Sequence, residues 1–296
     1  MPAEEQTRCL VGLVGTGIGE SLSPALHEHE ADALGIRYLY RLLDLDVLRL
    51  SPLDLGRLIR AARDLGFTGL NVTYPCKQLV LPHLDELSPE ARLLGAVNTI
   101  RFEASGATGY NTDLLGFQTS LERTIGDLSG QQVLLLGTGG AGAAAAHGLL
   151  HLGVARLALH DLDLARASAL ADVLRQTFGA DRALPVTASQ LRQAIVRADG
   201  IVNATPLGSG LKPGSPVEAD LLDGRQWVAD VVYRPLATAL LRSAAARGCR
   251  VVDGGGMAVL QAAAAFRLFT GREPEVDRML GHFDQLVAEE PRVGRP

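Results

Sequence analysis

Cysteine is scarce in this 296-residue chain, and the three present (Cys9, Cys76 and Cys249) form neither a Cys-x-x-Cys pair nor a Cys/His cluster at metal-ligand spacing. A disulfide framework and a zinc-organised fold are thereby excluded, and a reducing cytosol is the expected compartment. Positive charge is not in excess: the formal net charge is −5, so no basic face advertises nucleic acid or acidic lipid. Long apolar runs are missing too, since none reaches the roughly 18 residues of a membrane span. The opening residues MPAEEQTR are polar and acidic, unlike a signal or transit peptide. His27 and His29 sit two apart, on different sides of a helix, and are expected at the surface, not on a metal. An acidic protein that binds an anionic small molecule must do so with local donors, because its overall field opposes the approach.

What is present reads as a globular α/β protein. Hydrophobic residues make up 47% of the chain and charged residues 21%, enough apolar material for a real core, and the length fits two domains. Short apolar runs alternate with longer helical patterns, which is the signature of βαβ units and a parallel sheet. Strands are expected at 10–15, 38–43, 69–73, 133–136, 157–160, 200–204, 227–232 and 250–252, with a small antiparallel pair at 97–102 and 107–110. A helix is expected from Ser23, acting as N-cap before Pro24, to Gly35. Others are expected at 53–65, after Ser88-Pro89, at 114–124, from Ala141, at 164–178, and at 257–270 after a glycine hinge at 254–256. The expected domains are 1–113, completed by 255–296, and 114–254.

Two glycine-rich turns compete as a phosphate cradle. Gly15-Thr-Gly17-Ile-Gly19-Glu20 follows a strand but places a carboxylate where the third glycine belongs. Gly137-Thr138-Gly139-Gly140-Ala141-Gly142 fits the full G-x-G-x-x-G pattern between a strand and a helix. Its glycines allow the tight turn, the approach of backbone to phosphate and close helix packing, while the helix N-terminus supplies N–H groups. Asp161 ends the next strand about 20 residues on, where a carboxylate accepts from the ribose 2′-hydroxyl. It meets a 2′-phosphate with like charge, which argues for NAD over NADP; Arg166, one turn into the following helix, offsets that only partly. The plainer role for Asp161 is a cap on that helix.

Polar residues also gather at strand ends and turns of the first half, in the segments SLSP, NVTYPCK, GAVNT and GYNTD. With GTGGAG, NATPLG, DVVYRP and GGGMAVLQ they make eight ordered motifs, and in these the chain resembles the shikimate dehydrogenase family over nearly its whole length. The resemblance implies an N-terminal α/β substrate domain, a doubly wound Rossmann domain for the dinucleotide, and C-terminal helices returning to the first domain, with the active site in the cleft. It implies Lys77 and Asp113 as the catalytic pair, Ser21, Ser23 and Tyr233 around the substrate carboxylate, and Thr73, Asn98 and Gln261 on the ring hydroxyls. It implies a nicotinamide near Asn203, Thr205 and the turn from Gly254 to Met257.

The residue types suit the chemistry. Moving hydride between an alcohol carbon and a nicotinamide needs a proton donor and acceptor at the oxygen, and a lysine held by an aspartate provides one. Singly, Ser23 and Asp113 read equally as helix caps, Lys77 as a solvated turn residue, and Tyr233 as packing on Pro235; Cys76, with no base nearby, reads as filler. Biosynthetic members of the family usually carry a proline and a histidine before SLSP and an Asn-Arg-Thr cluster after the second Rossmann strand. Here Thr16-Gly17 with Glu20, and His160-Asp161-Leu162-Asp163, stand in their places. Both departures, with HEHEA and AFRLFTG, are similar to the NAD-linked quinate/shikimate branch, although a serine at position 23 favours shikimate over quinate. The expectation is an NAD-dependent shikimate dehydrogenase, monomer or homodimer, with quinate as a second substrate. A dehydrogenase of an amino analogue of shikimate and a non-catalytic NAD-binding sensor share the fold, and the sensor is disfavoured by the presence of both Lys77 and Asp113.

Overall fold

The computed structural model describes residues 8–210 and 212–289, so the polar opening segment 1–7 lies outside the described residues. Contacts divide the chain into two compact units, residues 1–112 with 261–296, and residues 113–260.

The first unit runs β1 (Arg8–Gly15), α1 (Ser23–Ala33), β2 (Arg37–Asp44), α2 (Leu45–Leu48), α3 (Leu55–Asp64) and β3 (Gly69–Val72). It continues through α4 (Cys76–Leu79), β4 (Glu86–Leu87), α5 (Pro89–Leu94), β5 (Thr99–Glu103) and β6 (Gly106–Tyr110). Its six-stranded sheet has the order β2-β1-β3-β5-β6-β4. β2, β1 and β3 are parallel, whereas β5 runs antiparallel to both β3 and β6, as the expected hairpin requires. One face packs on α3 and α5 through Leu55, Ile59, Leu70, Val72 and Ile100, all removed from water.

The second unit runs α6 (Asp113–Thr124), β7 (Gln132–Leu136), α7 (Gly140–His151), β8 (Arg156–His160), α8 (Leu164–Phe178), β9 (Ala183–Pro185) and α9 (Ala188–Arg197). It goes on through β10 (Gly200–Asn203), β11 (Trp227–Asp230), α10 (Ala239–Ala246), β12 (Arg250–Val252) and α11 (Gly254–Thr270), before α12 (Val276–Glu289) in the first unit. All neighbours in its sheet β12-β11-β10-β7-β8-β9 are parallel. That is the doubly wound dinucleotide-binding order, with its switch point between β7 and β10. β7 carries four consecutive buried residues, Val133 to Leu136, because helices cover the sheet on both faces.

Three local expectations change. The glycines 254–256 form the first turn of α11 and not a hinge. A Cβ on Gly254 would lie 2.7 Å from the Val231 carbonyl oxygen, and one on Gly256 2.8 Å from the Ser120 hydroxyl, so small size here serves close packing. The Asp253 carboxylate caps this start by accepting from the Gly255 N–H at 2.9 Å. The seam between units therefore falls within α11, after Leu260, and not at 254. Ser23 is the first residue of α1 and not its cap: Leu22 is the N-cap, and the Ser21 hydroxyl accepts from the Ser23 N–H at 3.3 Å.

His27 is 1% exposed, not a surface residue. Its ring packs among Tyr38, Tyr40, Phe266 and Phe269, on the sheet face that α11 covers with Ala265, Phe266 and Phe269. Nearby, the fully buried Glu30 carboxylate accepts from Arg278 at 2.8 and 2.7 Å and from the Glu275 N–H at 2.8 Å, which fastens α12 to α1. A buried carboxylate is tolerated when paired and hydrogen-bonded in this way. All three cysteines are buried and free. Among the described residues no helix is long and apolar enough to cross a membrane, and no group of three His, Cys, Asp or Glu could hold a metal.

Candidate active site

The candidate dinucleotide site lies at the switch point of the second unit. Gly137 leaves β7 with φ of +89°, a left-handed conformation that favours glycine. A side chain there would come within 2.9 Å of the Ala204 backbone, and one on Gly142 would collide with the Gly137 carbonyl. Gly139 is the N-cap of α7 and brings no side-chain cap, so the N–H groups of Gly140, Ala141 and Gly142 open the helix behind a bare turn. Unpaired N–H groups and the positive end of the helix dipole make such a terminus an anion site. These residues fit a dinucleotide pyrophosphate.

Asp161 is tied to this loop. Its Oδ2 accepts from the Thr138 N–H at 2.7 Å and the Thr138 hydroxyl at 2.8 Å, and its Oδ1 from the Asp163 N–H at 3.0 Å. Partial burial pushes its pKa up, but these hydrogen bonds and the Arg166 charge outweigh burial and hold it below the usual carboxylate range. The cap of α8 is Asp163, whose carboxylate accepts from Ala165. Asp161 is therefore not the helix cap, and of roughly four acceptor positions on a carboxylate it commits three, two to Thr138 and one to the Asp163 N–H. Arg166 lies over the turn: a methyl on Gly139 would stand 3.3 Å from its guanidinium nitrogen.

At the end of β10, Asn203 Oδ1 accepts from Thr205 N–H at 3.0 Å and Thr205 Oγ1 at 2.7 Å, while its amide donates to Asp230 at 2.9 Å and to the Leu207 carbonyl at 3.0 Å. Asp230 was not legible as functional in the sequence. It is a buried carboxylate that also accepts from Val232 N–H and the Thr238 hydroxyl, so one side chain joins the loops after β10 and β11. Burial raises its pKa, and those donors pull against that rise. Tyr233 follows β11 half-buried, and Met257, half-buried in α11, packs against the core beneath.

Most of the residues expected around the substrate lie in the first unit. The competing turn at Gly15–Glu20 carries no phosphate cradle: the Asp44 carboxylate accepts its N–H groups, from Gly17 at 3.3 Å and Ile18 at 2.9 Å. That fold-back presents Ser21 and Ser23, both half-buried, at the start of α1. Gly15 has no Cβ because one would collide with the Thr73 methyl, so the β1 end presses on the turn after β3. In that turn Thr73 carbonyl accepts from Cys76 N–H at 2.8 Å, and Lys77, on the short α4, is anchored through its carbonyl by Val97 N–H at 2.8 Å. The buried Cys76 thiol is pushed up by desolvation to about 11, which fits filler and not a nucleophile. Asn98 is buried and bonded to Thr112 and Thr99, and the half-buried Gln261 amide oxygen stands 3.5 Å from the Thr112 hydroxyl. The first unit thus brings together Asn98 and Gln261 through Thr112, and Thr73 and Lys77 through one turn. Asp113 opens α6 of the second unit and is buried.

Residues 13–100 match the shikimate dehydrogenase substrate binding domain, and residues 254–281 the shikimate 5′-dehydrogenase C-terminal domain. A curated relative from Streptomyces avermitilis, a shikimate dehydrogenase (NADP(+)), is 55% identical over 95% of this chain and 97% of its own. A quinate/shikimate dehydrogenase (NAD(+)) from Corynebacterium glutamicum is 46% identical over 94% of this chain and 98% of its own. Among solved structures, quinate dehydrogenase from Corynebacterium glutamicum in complex with NAD superimposes with a TM-score of 0.88 at 45% identity, covering 95% of this chain and 100% of that one. With such identity along nearly its full length, the chain belongs to the shikimate dehydrogenase family.

Proposed function

We propose that this member is an NAD-linked shikimate dehydrogenase that interconverts shikimate and 3-dehydroshikimate and takes quinate as a second substrate. The observation that carries the cofactor choice is Asp161, an ionised carboxylate fastened to the glycine turn by Thr138. Its remaining acceptor capacity suits a ribose 2′-hydroxyl and opposes a 2′-phosphate. In this reading Ser21, Ser23 and Tyr233 donate to the substrate carboxylate, supplying the local donors that an acidic protein needs. Thr73, Asn98 and Gln261 hold the ring hydroxyls. Lys77 stands at the reacting oxygen with Asp113 as its partner: the lysine donates its proton to the ketone in reduction, and the pair takes the hydroxyl proton in oxidation. Asn203, Thr205, Gly254 and Met257 would hold the nicotinamide, which would supply hydride exchange with the ring carbon, while the protein's own residues contribute orientation and charge.

A second reading of the cofactor is favoured by Arg166, whose guanidinium over Gly139 is placed to meet a 2′-phosphate, as the name of the Streptomyces relative would have it. Initial rates at 340 nm, crossing shikimate and quinate with NAD and NADP, decide between them. The highest kcat/KM is expected for shikimate with NAD. A preference for NADP that is lost in Arg166→Ala establishes the second reading.

A further inference from the structure

We propose that the Thr138 hydroxyl is a determinant of the choice between NAD and NADP, acting through Asp161 by clamping that carboxylate to the glycine turn. The inference rests on the reading of Asp161 as the ribose partner made above.

The parallel strands β7 and β8 pair as far as Leu136 opposite His160. The next N–H, that of Gly137, still finds a backbone acceptor, the His160 carbonyl at 2.8 Å. The Thr138 N–H has run past the end of the ladder, and the Asp161 side chain takes it instead, Oδ2 accepting at 2.7 Å. The Thr138 hydroxyl stands 2.8 Å from the same oxygen, and it must donate because an ionised carboxylate only accepts. Oδ2 thus carries two donors from one residue, whereas Oδ1 carries the Asp163 N–H at 3.0 Å. Bonds on both oxygens fix the plane of the carboxylate. Two of the three donors are backbone N–H groups, so the hydroxyl is the one that a different side chain at 138 would lack. Thr138 is buried, and its backbone is not left-handed, so the turn itself does not require a threonine. Charge-assisted bonds of this kind, shielded from water, are among the stronger ones.

Two roles for such a hydroxyl differ in what they do to the cofactors. The pyrophosphate cradle serves NAD and NADP alike, since the two differ only at the adenosine 2′ position. A hydroxyl that merely shaped the cradle would change both equally. A hydroxyl that fixes Asp161 changes their ratio. It keeps a preset acceptor for a ribose 2′-hydroxyl, and it stops the negative charge from turning aside from a 2′-phosphate. Thr138 is therefore a positioning residue.

The test is initial rates with NAD or NADP varied at saturating shikimate, each variant checked by a thermal melt. The readout is the ratio of kcat/KM for NADP over that for NAD. Thr138→Val keeps the shape and removes the hydroxyl; it should raise this ratio about threefold, mainly through a higher KM for NAD. Thr138→Ala should do the same, and it carries the test alone if Thr138→Val does not fold. Thr138→Ser, which keeps the hydroxyl without the methyl, should stay within about twofold of wild type. In an Asp161→Ser background, Thr138→Val should leave the ratio where Asp161→Ser alone puts it, because the two residues act as one unit. If Asp161→Ser raises the ratio but Thr138→Val and Thr138→Ala do not, the proposal is overturned, even where both cofactors are used less well. A further rise in the double variant, or a Thr138→Ser ratio as high as that of Thr138→Val, overturns it too. If Asp161→Ser itself leaves the ratio unchanged, the reading of Asp161 as the ribose partner fails and takes this inference with it.

Discussion

His27 makes acid sensitivity of the first unit a quantitative expectation. Its Nδ1 lies 2.9 Å from the Tyr38 hydroxyl, and its Nε2 is buried without a partner. Burial pushes its pKa from 6.5 down to about 3, because an imidazolium there would exchange water for aromatic rings. In the unfolded chain the same imidazole titrates at its ordinary value. Below pH 6.5 the unfolded state therefore binds a proton that the folded state refuses, and stability falls with pH until about pH 3. Above pH 6.5 the residue contributes no pH dependence. At pH 5, about 1.5 units down, the loss comes to about 2 kcal/mol, a large share of a typical folding free energy. Urea unfolding at pH 7 and pH 5 measures it. Four of the five tyrosines, Tyr38, Tyr40, Tyr74 and Tyr110, lie in the first unit and Tyr233 in the second, so near-ultraviolet tyrosine dichroism reports mainly on the first unit, whereas the single tryptophan, Trp227, reports on the second. His27→Gln preserves size and a polar partner for Tyr38, and should shrink the loss between pH 7 and pH 5 by about 2 kcal/mol. His147 in the second unit is likewise pushed down to about 4, by burial and then by His151, so the tryptophan-detected acid loss should persist in the variant. Equal losses in wild type and His27→Gln, or a native His27 ring proton titrating near its ordinary value, would refute the reasoning.

Lys77→Ala should lower kcat by 10²–10⁴-fold, in the usual range for general acid–base groups, with a much smaller rise in KM; an unchanged kcat removes Lys77 from the mechanism. Asp161→Ser should shift the ratio of kcat/KM for NADP over NAD upward by about tenfold, a modest figure because the carboxylate is partly solvated. No shift would mean that Asp161 serves only to hold the Thr138 turn. Asp230→Asn should cost less than about 1 kcal/mol, since its oxygen still accepts from Asn203 and Val232 while its nitrogen meets the Thr238 hydroxyl; Asp230→Ala strands all three donors and should cost about 3 kcal/mol or more. Equal melting temperatures for the two Asp230 variants would remove it as the joint between loops.

Elements with a strong period or a clear stop signal were legible in the chain itself. The helix over Leu164–Phe178 and the strand Arg250–Val252 stand where expected, and Ser88 caps α5 before the left-handed Gly95. Apolar runs, a serine before proline and a glycine after the last turn are local physics and need no partner to be read. Short elements were not legible: α4 beneath Lys77, the two-residue β4 and the three-residue β9 are held by neighbours and not by propensity.

The sequence by itself determined the βαβ order, the glycine turn before α7 and the types of residue at the site, because spacing along the chain is enough to put a turn between a strand and a helix. Only the tertiary structure decided that His27 is enclosed, that Asp44 closes the first glycine turn, that Asp230 joins the loops after β10 and β11, and that Tyr40, Asn71 and Thr99 are hydrogen-bonded across β2, β3 and β5. Those outcomes depend on which groups meet after the sheets form, and a hydrogen bond between residues 14 to 31 positions apart leaves no periodic trace in the chain.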